Sequence, residues 1–330
     1  MRRSRILGTG SYVPTRVVKN EEVCRPLKLD PAGVVRRTGI GARRWVGEGE
    51  ATSTLAVEAG RRALEAAGCA PGSIEAVVLS TTSPDMAFPA TACLAAAELG
   101  AARAAAFDVA ASCSGFLYGL SIGDAFIRSG QFRRCLVLAS EVKSRFLDPA
   151  DEATAVLFGD GAGAVVLQAE EPIHPESPGI LGVRLFADGS RHDLIGMPAG
   201  GSRQPQSRET VRSGLHTIRI QGGPLYRVAV KRLATAVTDL LKEFGVGLAD
   251  VRHAVFHQAN GRLLAALADR LGVQVERLTS VIESYGNTSS ASLPLALDHA
   301  ARAGRFAAGD LVVLGAFGGG LTWGAALVRW

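Results

Sequence analysis

One architectural plan occurs twice in this chain, and that repetition constrains the fold more than any other feature. The segment "TSTLAVEAGRRALEAAGCAPGSIEAVVLSTTSP" predicts an amphipathic helix beginning near Thr54, a Gly/Pro turn, an acidic residue and a buried strand, Ala76–Ser80. The segment "GGPLYRVAVKRLATAVTDLLKEFGVGLADVRHAVFHQAN" repeats that order and ends in a strand over Ala254–His257. Each half then closes with a glycine cluster feeding an apolar strand, "FGDGAGAVVLQ" at 158–168 and "FGGGLTWGAALV" at 317–328. The join falls near "AEEPIHPESPG" (169–179), which divides the chain into halves 1–172 and 173–330. Helices alternating with strands predict an α/β fold of mostly βαβ units, with sheets covered by helices.

Composition narrows the function classes. At 330 residues and 47% hydrophobic content the chain can build two core units or one large α/β domain. No stretch approaches the apolar length that spans a bilayer. The N-terminal "MRRSRILGTGSYVP" turns to Gly, Ser and Pro before any signal-peptide core forms, so a cytoplasmic protein is expected. The five cysteines (Cys24, Cys69, Cys93, Cys113 and Cys135) contain no CxxC pair and no His/Cys cluster, which argues against a disulfide framework and a metal site. A net charge of +5 with only 6% aromatics does not suit nucleic-acid binding. A GC-rich genome is the commonest explanation of the arginines, and a modest positive surface is also compatible with an acidic partner.

Candidate chemistry centres on "FDVAASCSGFLYG" (107–119). A strand running through a tight turn into a helix places Cys113 at a helix N-terminus, where exposed N–H groups favour a thiolate. A small buried filler is the alternative. Of six histidines, His174, His192 and His216 fall in loops or short polar strands, His299 in a helix, and His253 before a strand. His257 stands apart: it ends an apolar strand and precedes "QAN" and a helix, the kind of strand end where open α/β sheets place their sites. Asn287, in "SYGNTSSASLPLAL", also sits just before a helix. Taken singly, a structural histidine and a turn asparagine are the commoner readings.

Together, "DVAASCSGF", "FGDGAG", "HQAN", "YGNTSSAS" and "AFGGGLTWGAALV" resemble β-ketoacyl-acyl-carrier-protein synthase III, a family of thiolase-like condensing enzymes, in order and spacing over essentially the whole chain. The resemblance implies the five-layered αβαβα thiolase fold, built from two duplicated halves, and a homodimer. It implies that Cys113 is the acyl acceptor and that the backbone N–H groups of Cys113 and Gly319 form the oxyanion hole. His257 and Asn287 match the pair that holds the second thioester carbonyl while an enolate forms. Asn260 matches a supporting position, and Phe88 a loop that reaches the partner subunit's acyl pocket. Neither metal nor redox cofactor is implied.

The chain departs from the family where coenzyme A binds. Family members hold the adenine between a Trp and an Arg; here "LDPAGVVRRTGIGARR" has Gly33, and "LDPADEATAVLFGDGAG" has Glu152. Losing an aromatic–Arg clamp and gaining a carboxylate argues against tight coenzyme A binding. Arg37, Arg227 and Arg262 remain to meet a pantetheine phosphate or an acidic acyl carrier protein. The expected activity is therefore a specialised Claisen-type condensation of carrier-bound acyl and (β-keto)acyl thioesters in a polyketide or related pathway, with ring closure to an α-pyrone as one variation. Two alternatives stand: fatty-acid initiation from acetyl-CoA, and acyl transfer to an O or N nucleophile, for which Asn287 would be superfluous.

Overall fold

The structure, a computed structural model, describes residues 2–330. Two sheets form the frame. The first contains, in spatial order, the strands Arg3–Tyr12, Gly161–Glu170, Arg134–Glu141, Ala76–Ser80 and Ala105–Val109. The last three run parallel to one another, and the two on the other side pair antiparallel. The second contains Val251–Phe256, Leu311–Gly318, Thr322–Arg329 and Gly179–Ala187, of which only the first pair is parallel.

Strand alternation explains the layering. In "RCLVLASE", Leu136 and Leu138 pack with Leu55, Val57 and Leu79 on the outer face, against the helix Thr52–Ala66. Val137, between them, joins a central core with Phe116, Leu117 and Leu120 of the helix Gly115–Ser129 and Leu293 and Leu297 of the helix Ser292–Arg302. The second sheet repeats this. Val312 and Leu314 face the same central core, and Val313 and Phe317 face out toward Leu233, Val237, Leu240 and Leu267. The outer helices there are Gly222–Glu243 and Gly261–Leu271. Two helices thus lie between two sheets, with helices outside each, the five-layered αβαβα arrangement expected of a thiolase fold. Strands buried on both faces read as continuous apolar runs, as these do.

Local expectations shift by a few residues. The first helix begins at Thr52 rather than Thr54. Thr54 works from inside the first turn, its hydroxyl accepting the Ala51 N–H at 2.8 Å, while the Asp85 carboxylate takes the Ser53 N–H. The strand expected over Ala254–His257 runs from Val251 to Phe256. His253 lies inside it rather than before it, buried with Nε2 2.6 Å from Thr279 Oγ1. His257 falls one residue past the strand yet still donates its N–H to Gly315 O at 2.8 Å.

Candidate active site

The strand Ala105–Val109 passes through a single tight turn, Ser112–Ser114, into the helix Gly115–Ser129. Ser112 takes φ 49°, a left-handed conformation that side chains other than glycine rarely adopt, and so presents Cys113 at the apex. The turn is closely wrapped. A Cβ on Gly115 would stand 1.9 Å from Ser80 Oγ, and one on Gly318 2.6 Å from the Cys113 backbone nitrogen. The last strand hairpin therefore lies directly against the cysteine because glycine occupies its end.

Asn287 is fixed by backbone on both sides. Its N–H donates to Leu157 O at 2.9 Å, and its carbonyl accepts from Gly159 at 3.1 Å, which docks "YGNTSSAS" on "FGDGAG". Its side-chain Oδ1 accepts the Ser289 N–H at 2.9 Å, leaving the amide NH₂ as the end available to a ligand. His257 has Nδ1 2.5 Å from Ser292 Oγ, and that oxygen also accepts the Gln258 N–H at 3.2 Å. When the Ser292 hydroxyl donates to Nδ1, the imidazole proton sits on Nε2, facing the cavity.

Cys113, His257 and Asn287 line one cavity of about 110 Å³ with Asn260, Phe317 and Gly319. Asn260 also caps the helix Gly261–Leu271 by accepting the Leu263 N–H at 2.8 Å. Gly222, Tyr226 and Asn260 are shared with an outer cleft of about 360 Å³ that contains Arg37, Arg227 and Arg262. The basic trio thus lines a cleft that adjoins the cavity of Cys113. Gly33 and Glu152 do not line that cleft: Gly33 lies in the helix Pro31–Thr38, and Glu152 is exposed at the start of a short helix. Phe88 is apart from the cavity and 84% exposed.

Burial sets the protonation states. The Cys113 thiol is pushed up by burial despite hydrogen bonding to Ser289 and the nearby Lys143. Desolvation is the largest influence on this thiol, ahead of the Ser289 hydrogen bond and the Lys143 charge that oppose it. His257 is lowered by burial to about 4, so it is neutral at physiological pH. Burial would raise the Glu141 carboxyl, but Lys143 and the Ser83 and Thr82 donors hold it low. Ser289 connects this group to the site: its hydroxyl lies 3.6 Å from Cys113 Sγ and donates to Glu141 Oε1 at 3.0 Å. Glu141, Lys143, Ser289 and Ser292 escaped the sequence reading. The available signals were "EVK", two charges at the end of an apolar strand, and the serines of "YGNTSSAS", which include Ser289 and Ser292. Among the described residues no group of three or more His, Cys, Asp or Glu side chains is placed to hold a metal.

The layered fold and its central cavity define a class, the acyl-transferring condensing enzymes built on the thiolase fold. Residues 107–189 match the model of 3-oxoacyl-(acyl-carrier-protein) synthase III, and residues 241–330 match the model of its C-terminal part. The chain is 47% identical, over 100% of both chains, to β-ketoacyl-(acyl-carrier-protein) synthase III of Rhizorhabdus wittichii. The crystal structure of the 3-oxoacyl-(acyl-carrier-protein) synthase III of Aquifex aeolicus superposes with a TM-score of 0.90 at 38% identity, covering 99% of this chain and 100% of that one. The priming β-ketosynthase of the R1128 polyketide pathway gives 0.91 at 37%, covering 99% and 96%. The chain belongs to the β-ketoacyl-acyl-carrier-protein synthase III family. No helix among the described residues is long and apolar enough to cross a membrane.

Proposed function

We propose that Cys113 accepts an acyl group from a thioester and passes it to the α-carbon of a second, carrier-bound thioester. In the first half-reaction the sulfur attacks the donor carbonyl, and the donor thiol leaves with the proton that Cys113 gives up. Backbone N–H groups of Cys113 and Gly319 hold the oxyanion. In the second, His257 Nε2–H and the Asn287 amide donate to the second thioester's carbonyl oxygen as its enolate forms by loss of CO₂ from a malonyl unit. With a β-ketoacyl chain the other tautomer is required, in which Nδ1–H donates to Ser292, the bare Nε2 takes the α-proton and the Asn287 amide alone holds the carbonyl oxygen. The enolate carbon bonds to the acyl carbon, and Cys113 leaves as the thiolate. The observation that carries this reading is the pair of oriented donors, Asn287 and His257, on the same cavity as the sulfur.

The donors we propose are acyl carrier proteins, in a polyketide or related secondary pathway of the cytoplasm, with α-pyrone formation as one outcome. Gly33 and Glu152 support this by removing a nucleotide clamp, and the Arg37, Arg227 and Arg262 cleft supports it by presenting charge to an acidic partner. A second reading, fatty-acid initiation from acetyl-CoA, is favoured by the names of relatives at 47% identity. Intact-protein mass spectrometry with matched acyl-CoA and acyl-carrier-protein donors separates the two. Loading from the carrier protein alone supports the first, and efficient loading from acetyl-CoA supports the second. On the same proposal the chain divides at 172/173 into a Cys-bearing and a His/Asn-bearing half and works as a homodimer, exposed Phe88 reaching the partner's acyl pocket.

A further inference from the structure

A second cavity, of about 220 Å³, shares Cys113, Ile195 and Gly319 with the first but touches neither His257 nor Asn287. Its wall is divided. Phe146, Phe158, Met197 and Ile218 are apolar, whereas Thr82, Lys143 and Ser289 are polar. Lys143 is paired with Glu141 at 2.9 Å, with side chains 7% and 0% exposed. Glu141 accepts further from Ser83 Oγ at 2.7 Å, Ser289 Oγ at 3.0 Å and Ser290 Oγ at 2.9 Å.

Burying both members of an ion pair carries a desolvation penalty that a purely alkyl acyl group would do nothing to offset. Among the described residues, two of the three ammonium N–H donors are taken, by Glu141 and by Thr82 Oγ1. The third remains for a ligand. The pair is neutral overall, so it suits an uncharged acceptor. A carboxylate would add an uncompensated negative charge beside Glu141. Ser289 bridges Glu141 and the Cys113 sulfur, which places the polar wall near the start of a bound chain and not at its tip.

We propose that the acyl group loaded on Cys113 carries a neutral oxygen close to its thioester carbonyl, of the 3-oxoacyl or 3-hydroxyacyl type, and that Lys143 selects it by donating a hydrogen bond. This rests on Cys113 being the acylated residue. The loading step is thioester exchange: the Cys113 S–C bond forms, the donor S–C bond breaks, and the donor thiol takes the Cys113 proton.

The test is the rate of acylation of the full-length protein by hexanoyl-, 3-oxohexanoyl- and 3-hydroxyhexanoyl-pantetheine, followed by intact mass. At least one oxygenated chain should load about tenfold faster than hexanoyl, as a hydrogen bond to a charged donor allows. Lys143→Met should bring that ratio to within about twofold. If that variant misfolds around an unpaired Glu141, Glu141→Gln/Lys143→Met removes the stranded carboxylate and should show the same loss. Hexanoyl loading as fast as the oxygenated chains in the wild type would overturn the proposal, as would an unchanged ratio in a folded variant. An adduct that persists in Cys113→Ala would instead defeat the underlying assignment of Cys113 and this inference with it.

Discussion

Asn287 commits its side-chain oxygen to the Ser289 backbone N–H, 2.9 Å away, and in doing so turns its amide nitrogen into the donor available beside Cys113. Orientation, not mere presence, is what the mechanism needs from this residue. Asn287→Asp keeps the Ser289 contact and replaces the donor with a carboxylate oxygen. The acyl-enzyme should still form, while condensation should fall by at least about a hundredfold, the typical loss of one oxyanion donor. His257→Ala should separate the two half-reactions in the same way. Loading is read by intact mass and condensation by product; normal condensation in either variant would remove it from the enolate site.

Ser292 supports His257 without facing the cavity. Ser292→Ala leaves Nδ1 without its 2.5 Å partner and frees the imidazole to change tautomer. Condensation should slow roughly five- to tenfold, the worth of one neutral hydrogen bond, with loading unchanged. Ser292→Thr, which restores the hydroxyl, should recover most of the rate. A loss of loading in Ser292→Ala equal to the loss of condensation would point to a general packing defect instead.

Two buried histidines give the fold a pH dependence. Burial lowers His253 and His257 each from 6.5 to about 4, with Arg305 and Arg252 adding to the effect at His253. Below 6.5 the unfolded chain takes up protons that the native state refuses. Their contribution to stability is therefore complete above about 6.5 and is lost progressively as pH falls toward 4. Urea unfolding midpoints should drop across that window, and less steeply in His253→Gln. A flat profile would mean that these side chains are hydrated in the native state.

Glycines around the nucleophile are expected to be intolerant. Gly115→Ala places a methyl 1.9 Å from Ser80 Oγ at the first residue of the helix, and Gly318→Ala places one 2.6 Å from the Cys113 nitrogen. Both should depress acylation by moving the turn, and Gly115→Ala should also lower the melting temperature. By contrast Gly272→Ala, with open space around the glycine but φ +71°, should cost some stability and leave loading intact.

The sequence announced the site wherever chemistry coincided with a local motif. Cys113 stands between an apolar strand and a run of small residues, and His257 directly follows a strand, so patterning marked both as candidates, and the five motifs read together joined them into one proposed site. The repeated helix–turn–strand order pointed to sheets covered by helices, and the resemblance supplied the five-layered arrangement. What stayed hidden depends on contacts distant in sequence. Glu141 meets Ser289 across 148 positions, and Ser292 meets His257 across 35. No periodicity marks such pairs, because they exist only once the two sheets have closed on their shared helices. The environment of Cys113 divides in the same way: a helix terminus is legible in sequence, and the burial that raises the thiol is not.

The most direct measurement is the intact mass of the protein after incubation with an acyl-carrier-protein thioester, made on the wild type and on Cys113→Ala in parallel. The expected result is a single acyl adduct on the wild type, discharged when a carrier-bound extender is added, and none on the variant. An adduct of equal yield on Cys113→Ala would contradict the assignment of the nucleophile, and with it the mechanism built around the cavity.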